Sequence, residues 1–433
     1  MPPTANTALE GRADLIVAHA AELLTMAGPA EARRGPQQAE LGLIPDGAVA
    51  IRGDMIRAVG PSAAILATYA GPDTRIVDAT GRVVTPGLVD AHTHLVFAGT
   101  REHEYEQRLQ GAGYLEILAA GGGIMSTVRA TRVASAEELA AGMVPHLRAM
   151  LAHGTTSVEV KSGYGLSTAD ELKSLRAIRL VAEGQAPQQP GGVLPRLCPT
   201  FLGAHAVPEE YRGQPDAYVD LLVEETLPAV VAAGLAESCD VFCDAGAFDA
   251  AQARRILEAA QAHGLPVRLH ANEFERIGAA ALAADLHALS ADHLLVLDPE
   301  EIAALAGAGV VATLLPGTGL GLGHYAPARA LIAAGVPVAL ATDCNPGTCL
   351  CENLGLMIAL ACSAMKMTPA EALVAATINS AHALGPRWAG QVGSLEPGKW
   401  ADLVIWDVPN YRHIPYHLGV NLVGQVVLGG VLV

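Results

Sequence analysis

Two histidines separated by a single residue, His92 and His94, are the residues best suited to chemistry at the start of the chain. Apolar residues flank them on both sides, which predicts the end of a buried strand. Side chains two residues apart on a strand point to the same side, so both imidazoles can reach one metal ion. Because a His-x-His also fits two polar residues at a strand end, its meaning depends on the rest of the chain.

Three later apolar segments end in residues that bind metals or carry protons. They end at His270, followed three residues later by Glu273, at His293 and at Asp343. Neutral imidazoles together with one carboxylate suit Zn²⁺ or iron. Such an ion lowers the pKa of a bound water from ~15.7 to ~7 and so provides a nucleophile at neutral pH. The pattern therefore predicts a metal-dependent hydrolase, in which Glu273, His293 and Asp343 are the candidate proton carriers.

The order of elements predicts a (β/α)₈ TIM barrel over residues 85–392. The His-x-His segment is the first of eight candidate strands, and the others are Thr156–Lys161, Leu197–His205, Cys239–Asp244, Val267–His270, Ala291–His293, Val310–Leu315 and Val338–Asp343. Between them lie Ala-rich predicted helices, among them Ala136–Ala152, Ala169–Glu183, Pro215–Ala233, Ala250–His263 and Pro327–Ala334. Barrel enzymes place the active site at the carboxyl ends of the strands, which is where the candidate residues lie.

Both ends of the chain, residues 1–84 and 393–433, are predicted to form one small β-sandwich domain. The strand candidates are Asp14–Val17, Ala48–Arg52, Met55–Val59, Ala401–Trp406 and Gln425–Val433. Gly53-Asp54 between two of them indicates a hairpin. Residues 28–42 are predicted to be an exposed loop.

The net charge of −17 argues against nucleic acid or an anionic membrane as a partner. An anionic substrate would need a local cation.

The seven cysteines are odd in number and form no Cys-x-x-Cys, which favours reduced thiols and a cytoplasmic protein. We find no secretory signal at the start of the sequence. The longest uncharged run, around residues 305–328, is interrupted by glycines and Pro316, so no membrane span is expected.

Several longer segments resemble the amidohydrolase superfamily and, within it, the imidazolonepropionase family of histidine degradation. The resemblance spans nearly the whole chain. Its most specific segments are Thr85–His94, His94–Glu102, Val160–Leu166, Phe201–Pro208, His270–Phe274, Asp343–Thr348 and Gly393–Val404. The resemblance implies hydrolytic opening of the imidazolone ring of 4-imidazolone-5-propanoate to N-formimidoyl-L-glutamate in the cytoplasm.

Carried over position by position, the resemblance implies one zinc or iron ion per chain, bound by His92, His94, His270 and Asp343. It also implies the substrate-binding residues Arg101, Tyr164, His205, Glu273, Asn345, Gly347 and Thr348. The expected partner is the small-molecule substrate, and a homodimer is compatible with this reading.

The chemistry of these side chains agrees with the implied roles. Arg101 follows the first strand and can bind a carboxylate through its planar fork. Tyr164 lies between two glycines, where flexible backbone lets its ring close over a ligand. Asn345 and Thr348 offer an amide and a hydroxyl to a polar heterocycle, although the segment also reads as an ordinary turn between a strand and a helix.

Lys161 ends the second predicted strand. Members of the superfamily with two metals carry a carboxylated lysine on the fourth strand instead, so a single metal is expected.

Two other functions fit parts of the pattern. A purine or pyrimidine deaminase would share the metal ligands, but Arg101 and the Gly-Tyr-Gly segment favour a substrate with a carboxylate. A non-catalytic scaffold should have lost ligands, and none is missing.

Overall fold

The structure is a computed structural model that describes residues 11–111, 122–187 and 192–433. Two sheets of eight strands each organise these residues. One sheet forms the barrel in the middle of the chain, and the other is built from both chain ends. The predicted TIM barrel and the small domain built from both ends are therefore confirmed. The limits 85 and 392 for the barrel stay a prediction, and the strand Val83–Pro86 lies across the first of them.

The barrel strands are all parallel and follow one another in chain order. They are β6 (Leu88–Asp90), β7 (Thr155–Lys161), β8 (Arg196–Ala204), β9 (Ser238–Cys243), β10 (Val267–Ala271), β11 (Ser290–His293), β12 (Val311–Leu314) and β13 (Val338–Leu340). The first and last strands are shorter than predicted, so His92, His94 and Asp343 lie in the segments just beyond them. These segments close the barrel, because the Asp343 N–H donates to the His92 carbonyl at 3.0 Å and the His94 N–H to the Cys344 carbonyl at 2.9 Å.

Several of the barrel helices that the structure describes begin at a capping residue. Ser135 and Asp249 each form a capping box with the residue three positions later. The helices are Glu102–Leu109, Ile124–Val133, Ala136–Ala152, Thr168–Ala182, Pro215–Leu221 continued by Leu227–Ala232, Ala250–Ala262, Ala279–Asp285, Pro299–Ala308, Pro316–Leu322, Ala328–Ala333, Leu354–Ser363, Pro369–Ala375, Ile378–Leu384 and Pro386–Ala389. All five predicted helices are present to within one residue at each end. They bury apolar side chains at helical spacing, such as Leu139, Met143 and Leu147.

The small sheet joins the two chain ends. Its strands are β1 (Leu15–Leu24), β2 (Leu43–Arg52), β3 (Met55–Pro61), β4 (Arg75–Asp78), β5 (Val83–Pro86), β14 (Leu403–Trp406), β15 (Val423–Leu428) and β16 (Val431–Leu432). The short helices Ser62–Tyr69 and His413–Tyr416 accompany them. The predicted hairpin at Gly53-Asp54 joins β2 and β3. The prediction of one strand over residues 425–433 is wrong, because Gly429 and Gly430 adopt positive φ angles of 57° and 74° and reverse the chain.

The prediction that residues 28–42 form an exposed loop holds for most of the segment, which is exposed, but not for the residues around Arg33 and Gln38. Gly35–Ala39 is a short 3₁₀ helix, and Arg33 and Gln38 are buried. Arg33 donates to the carbonyls of Pro29 and Met26, at 2.7 and 2.9 Å, and its own N–H donates to Asn379. Gln38 hydrogen-bonds to both backbone groups of Val338 at the start of β13. The segment therefore packs against the amino-terminal side of the barrel, opposite the candidate site. Across the part of the chain that the structure describes, no helix is long and apolar enough to cross a membrane.

Candidate active site

The predicted metal ligands meet at the carboxyl ends of the barrel strands. The Nε2 atom of His94 lies 3.3 Å from Nε2 of His92 and 3.2 Å from Nε2 of His270. Oδ1 of Asp343 lies 3.6 Å from Nε2 of His92 and 3.5 Å from Nε2 of His94. All four side chains are buried. Burial holds the pKa values of His92 and His94 well below the usual range, so both imidazoles are neutral and ready to bind a cation.

These separations fit a metal ion. Ligand atoms ~2.0–2.1 Å from one ion in a tetrahedron are ~3.3 Å apart, which is close to the separations between the three histidine nitrogens. Three nitrogens and one oxygen make a donor set suited to Zn²⁺ or iron. In the absence of a cation, three neutral imidazole nitrogens packed this closely would leave lone pairs facing one another. The residues present therefore fit a metal centre.

Two carboxylates that the sequence did not single out orient the histidines. Oδ2 of Asp292 lies 2.6 Å from Nδ1 of His92, and Oδ2 of Asp240 lies 3.0 Å from Nδ1 of His270. Because each carboxylate contacts Nδ1, the Nε2 atoms of His92 and His270 are free to face the metal position. This is the usual arrangement around a metal-bound histidine. Burial raises the pKa of Asp292 to about 6, whereas the positive charge of Lys161 outweighs burial and holds the pKa of Asp240 well below its usual range.

Lys161 is fully buried beneath these carboxylates. Its Nζ lies 2.8 Å from Oε1 of Glu159 and 2.7 Å from Oδ2 of Asp240. Burial alone would lower the pKa of Lys161, but the surrounding carboxylates outweigh it and raise the pKa above its usual value. A lysine held as an ammonium ion cannot carry a carbamate. This geometry supports the expectation of a single metal.

The backbone is strained where it carries the site. Asn272, His293 and Asp343 have φ angles of 51°, 74° and 53°, in the left-handed region that non-glycine residues rarely adopt. The Thr318 hydroxyl donates to Oδ2 of Asp343 at 2.5 Å, which leaves Oδ1 facing the histidines. Burial raises the pKa of Asp343 to about 6. A cation beside Oδ1 would instead favour the ionised carboxylate.

The predicted proton carriers Glu273 and His293 lie side by side at the edge of the metal position. Oε1 of Glu273 is 3.7 Å from Nδ1 of His293, and the His293 ring packs against His270 with the ring centroids 5.2 Å apart. Burial raises the pKa of Glu273 well above its usual value, and the negative charges of Asp343 and Asp244 raise it further. Burial lowers the pKa of His293. One group therefore favours its protonated form and the other its neutral form.

Tyr164 and His205 cover another side of the metal position. The His205 ring stacks on His94 with the centroids 5.0 Å apart, and the Tyr164 ring lies 5.2 Å from His205. Burial lowers the pKa of His205 to about 3. The flexibility expected of the Gly-Tyr-Gly segment is not what the structure shows. The buried Glu171 carboxylate accepts the N–H groups of Gly163, Gly165 and Leu166 and fixes the segment in place.

Arg101 is the only arginine or lysine among the predicted substrate-binding residues. Glu104 holds one edge of its guanidinium, because Oε2 of Glu104 lies 2.9 Å from Nε and 2.8 Å from Nη2. The other nitrogen, Nη1, approaches Gly347, where an added Cβ would be only 2.6 Å away. Glycine at this position therefore leaves room for the guanidinium. Gly347 brings Arg101 together with the segment that follows Asp343.

Asn345 and Thr348 bind mainly to their own turn. Oδ1 of Asn345 accepts the N–H groups of Gly347 and Thr348, both at 2.8 Å, and its amide donates to the Asp343 carbonyl at 2.7 Å. Thr348 is exposed. The side chains of Asn345 and Thr348, which were predicted to bind a substrate, therefore also shape the turn that carries Asp343 and Gly347.

Comparisons with known proteins agree with this geometry. A model of the amidohydrolase family matches residues 83–433, and a model of the bacterial imidazolonepropionase-like composite domain matches residues 47–71. The imidazolonepropionase of Alkaliphilus metalliredigens is 49% identical over 97% of this chain and 98% of its own length. That of Symbiobacterium thermophilum is 53% identical over 97% of both chains. A solved adenosine deaminase from Xanthomonas campestris with bound zinc has a TM-score of 0.68 over 97% of this chain and 93% of its own, at 22% identity, which is a likeness of fold.

The barrel, the converging histidines and the family match together define a metal-dependent hydrolase of the amidohydrolase family. The full-length relatives at about half identity then place the chain more narrowly. It belongs to the imidazolonepropionases.

Proposed function

We propose that this chain hydrolyses the ring C–N amide bond of 4-imidazolone-5-propanoate, giving N-formimidoyl-L-glutamate in L-histidine degradation. The observation that carries the proposal is the convergence of four metal-ligand side chains in a chain that shares half its residues with full-length imidazolonepropionases. The separations between the four donor side chains support their use as a metal centre.

His92, His94, His270 and Asp343 would hold one zinc or iron ion per chain. When bound, such an ion lowers the pKa of a water molecule and polarises a carbonyl group. Lys161 supports a single ion, because its ammonium group is occupied by carboxylates. Elemental analysis of the purified protein should find about one metal ion per chain, and a His92→Ala, His94→Ala double variant should lose it. Two stoichiometric ions per chain would contradict the proposal.

Glu273 and His293 supply the proton transfers. In hydrolysis, the water oxygen bonds to the ring carbonyl carbon, the C–N bond breaks, and the departing ring nitrogen takes up a proton. The raised pKa of Glu273 favours a protonated carboxyl group, which suits it to give that proton to the nitrogen. His293 lies 3.7 Å from Glu273 and is neutral, so it can accept a hydrogen bond or orient the carbonyl. Asp343, whose Oδ1 lies beside the histidines, can take the proton that the water gives up.

Arg101 binds the propionate carboxylate, and Tyr164 and His205 pack against the ring of the substrate. This placement rests on two features of the mouth. Nη1 of Arg101 faces Gly347 rather than Glu104, and the rings of Tyr164 and His205 form a wall beside His94. Asn345, Gly347 and Thr348 complete the substrate pocket through the turn they form.

The direct test is to incubate the purified protein with imidazolone propionate and to follow the loss of substrate and the appearance of N-formimidoyl-L-glutamate. The His92→Ala, His94→Ala variant is the control for metal dependence. Adenosine, guanine and cytosine should release no ammonia. Turnover of one of these bases without turnover of imidazolone propionate would show a deaminase and overturn the proposal.

The partner is then a small molecule, and the net charge of −17 disfavours nucleic acid and anionic membranes. Seven free cysteines support a reducing compartment, the cytoplasm. A homodimer remains compatible with these features, and light scattering of the purified protein would measure the oligomeric state directly.

A further inference from the structure

A buried layer of charged side chains lies beneath the metal-ligand histidines. Glu159 and Lys161 come from β7, Asp240 from β9 and Asp292 from β11, and none of the four is exposed to solvent. Alternate strands of a barrel contribute side chains to the same interior layer, which explains why these four residues meet. Nζ of Lys161 lies 2.8 Å from Glu159, 2.7 Å from Asp240 and 3.9 Å from Asp292.

The same aspartate oxygens contact the metal ligands. Oδ2 of Asp240 lies 2.7 Å from Nζ of Lys161 and 3.0 Å from Nδ1 of His270. Oδ2 of Asp292 lies 3.9 Å from the ammonium and 2.6 Å from Nδ1 of His92. Each aspartate therefore bridges the lysine and one histidine, so the position of the ammonium group bears on the orientation of two imidazoles.

The ammonium group also balances charge. Three carboxylates surround Lys161 inside the barrel, where an unpaired ion is strongly destabilising. Another buried cation, Arg268, donates from Nε to the Ser238 hydroxyl at 3.2 Å and from Nη1 to the Ala91 carbonyl at 3.4 Å, and not to these carboxylates. Without Lys161 the carboxylates would repel one another. Asp240 and Asp292 would also lose the contact to the ammonium group that holds them in place beside their histidines.

We propose that Lys161 is a positioning residue for the metal centre, whose ammonium group anchors the two carboxylates that orient His92 and His270. The proposal rests on the metal site of the proposed function. The ion-pair contacts of Lys161 are to carboxylates, so it acts through the aspartates. Loss of the groups that orient metal-bound histidines typically lowers metal affinity ~10–100-fold, and Lys161 anchors two such groups.

The test compares Lys161→Met with the parent protein and with Arg33→Met. Arg33 is also a buried cation, but it lies on the opposite side of the barrel and touches no metal ligand. Each protein is stripped with a chelator and reloaded with Co²⁺, whose visible absorption reports ligand geometry. We expect Lys161→Met to bind Co²⁺ at least about tenfold more weakly, with shifted absorption bands. Arg33→Met should match the parent in both measurements even where its melting temperature falls.

A second variant covers the case in which Lys161→Met does not fold. Lys161→Met combined with Glu159→Gln removes one buried positive and one buried negative charge, so the net charge of the layer is unchanged while Asp240 and Asp292 still lack their anchor. It should show the same weak Co²⁺ binding. A folded variant of either kind with the Co²⁺ affinity and spectrum of the parent would overturn the role of Lys161. Failure of the parent itself to bind Co²⁺ would instead overturn the proposed metal site.

Discussion

Glu273 shows how a single residue acquires chemistry from its surroundings. An exposed glutamate is ionised at neutral pH, but burial beside Asp343 and Asp244 raises the pKa of Glu273 well above its usual value. The side chain is only 5% exposed. Its neighbour His293 is kept neutral by burial. Two adjacent groups with opposite preferences are the arrangement expected of a proton-transfer pair.

Replacing Glu273 by glutamine should lower kcat by ~10²-fold or more, because the amide keeps the shape of the side chain but cannot transfer a proton. Metal content should not change, since Glu273 is not among the converging ligands. Glu275→Gln is the matched control, because Glu275 is exposed two residues further along the same segment. Near-normal turnover of metal-loaded Glu273→Gln would refute its role.

Replacing Arg101 by methionine should reduce kcat/KM by at least about tenfold, because a charge-assisted hydrogen bond to the substrate carboxylate contributes ~1.5–3 kcal/mol. Arg108→Met is the control, since Arg108 donates to the Gly347 carbonyl from an exposed position. The decisive comparison uses a substrate analogue without the carboxylate. It should be a poor substrate for the parent enzyme and nearly unaffected by Arg101→Met. Equal losses on both compounds would mean that Arg101 only holds its loop.

At the scale of elements, the segment after β10 depends on its neighbours for its shape. Asp244 follows β9, and its carboxylate accepts four backbone N–H groups, those of Ala245 and of Glu273, Phe274 and Glu275. On the other side, Asn272 donates to the Val296 carbonyl and to Glu301. These contacts hold the left-handed residue Asn272 and aim Glu273 at the metal position.

Asp244→Asn should therefore disturb the segment that carries Glu273. The amide replaces one accepting oxygen by a donor that faces backbone N–H groups, and each lost hydrogen bond to a charged group costs ~1.5–3 kcal/mol. We expect the free energy of unfolding to fall by about 3 kcal/mol and kcat to fall at least about tenfold. Asp249→Asn, at an exposed helix N-cap nearby, should leave kcat unchanged. Normal kcat in Asp244→Asn would show that the segment keeps its shape without the carboxylate.

At the largest scale, His382 on the helix Ile378–Leu384 lies within the electrostatic influence of Arg33 and Lys399, which come from other parts of the chain. It is partly buried, and burial together with the positive charges of Lys399 and Arg33 lowers the pKa of its imidazole to about 4. The unfolded chain has a histidine pKa of ~6.5. Between these values the unfolded state binds the additional proton, so this group makes the protein less stable as the pH falls from about 6.5 to 4.

His382→Gln should reduce the loss of stability that occurs as the pH falls. A shift of one pKa unit corresponds to ~1.36 kcal/mol, so the parent should lose about 1–3 kcal/mol more than the variant between pH 7 and pH 4.5. Denaturant unfolding at the two pH values measures the difference. His417→Gln, at an exposed position, is the control and should leave the pH dependence unchanged. Parallel declines in the parent and in His382→Gln would mean that this histidine is not responsible.

Features of the fold and the site that depend on residues close together in the sequence could be predicted. Features that depend on which strands are neighbours could not. His92 and His94 were recognisable because they are two residues apart, and helix limits because capping residues precede them. Asp240 and Asp292 carry no motif, and their importance appears only where β9 pairs with β10 and β11 reaches His92. The available sign of their importance was that each is a charged residue inside an apolar predicted strand. The burial of Arg33 depends on Asn379, 346 residues away, which no local pattern predicts.

The small sheet fixes the order in which the molecule can be completed during translation. Strand β5 lies between β1 and β14, and β14 pairs with it only after the entire barrel has been made. At ~5–20 residues per second, ribosomes need about 16–60 s to synthesise the roughly 300 residues between these strands. During that time β5 presents an unpaired edge, a surface that invites pairing with other chains. Nascent chains should therefore engage chaperones most strongly before residue 403 emerges from the ribosome.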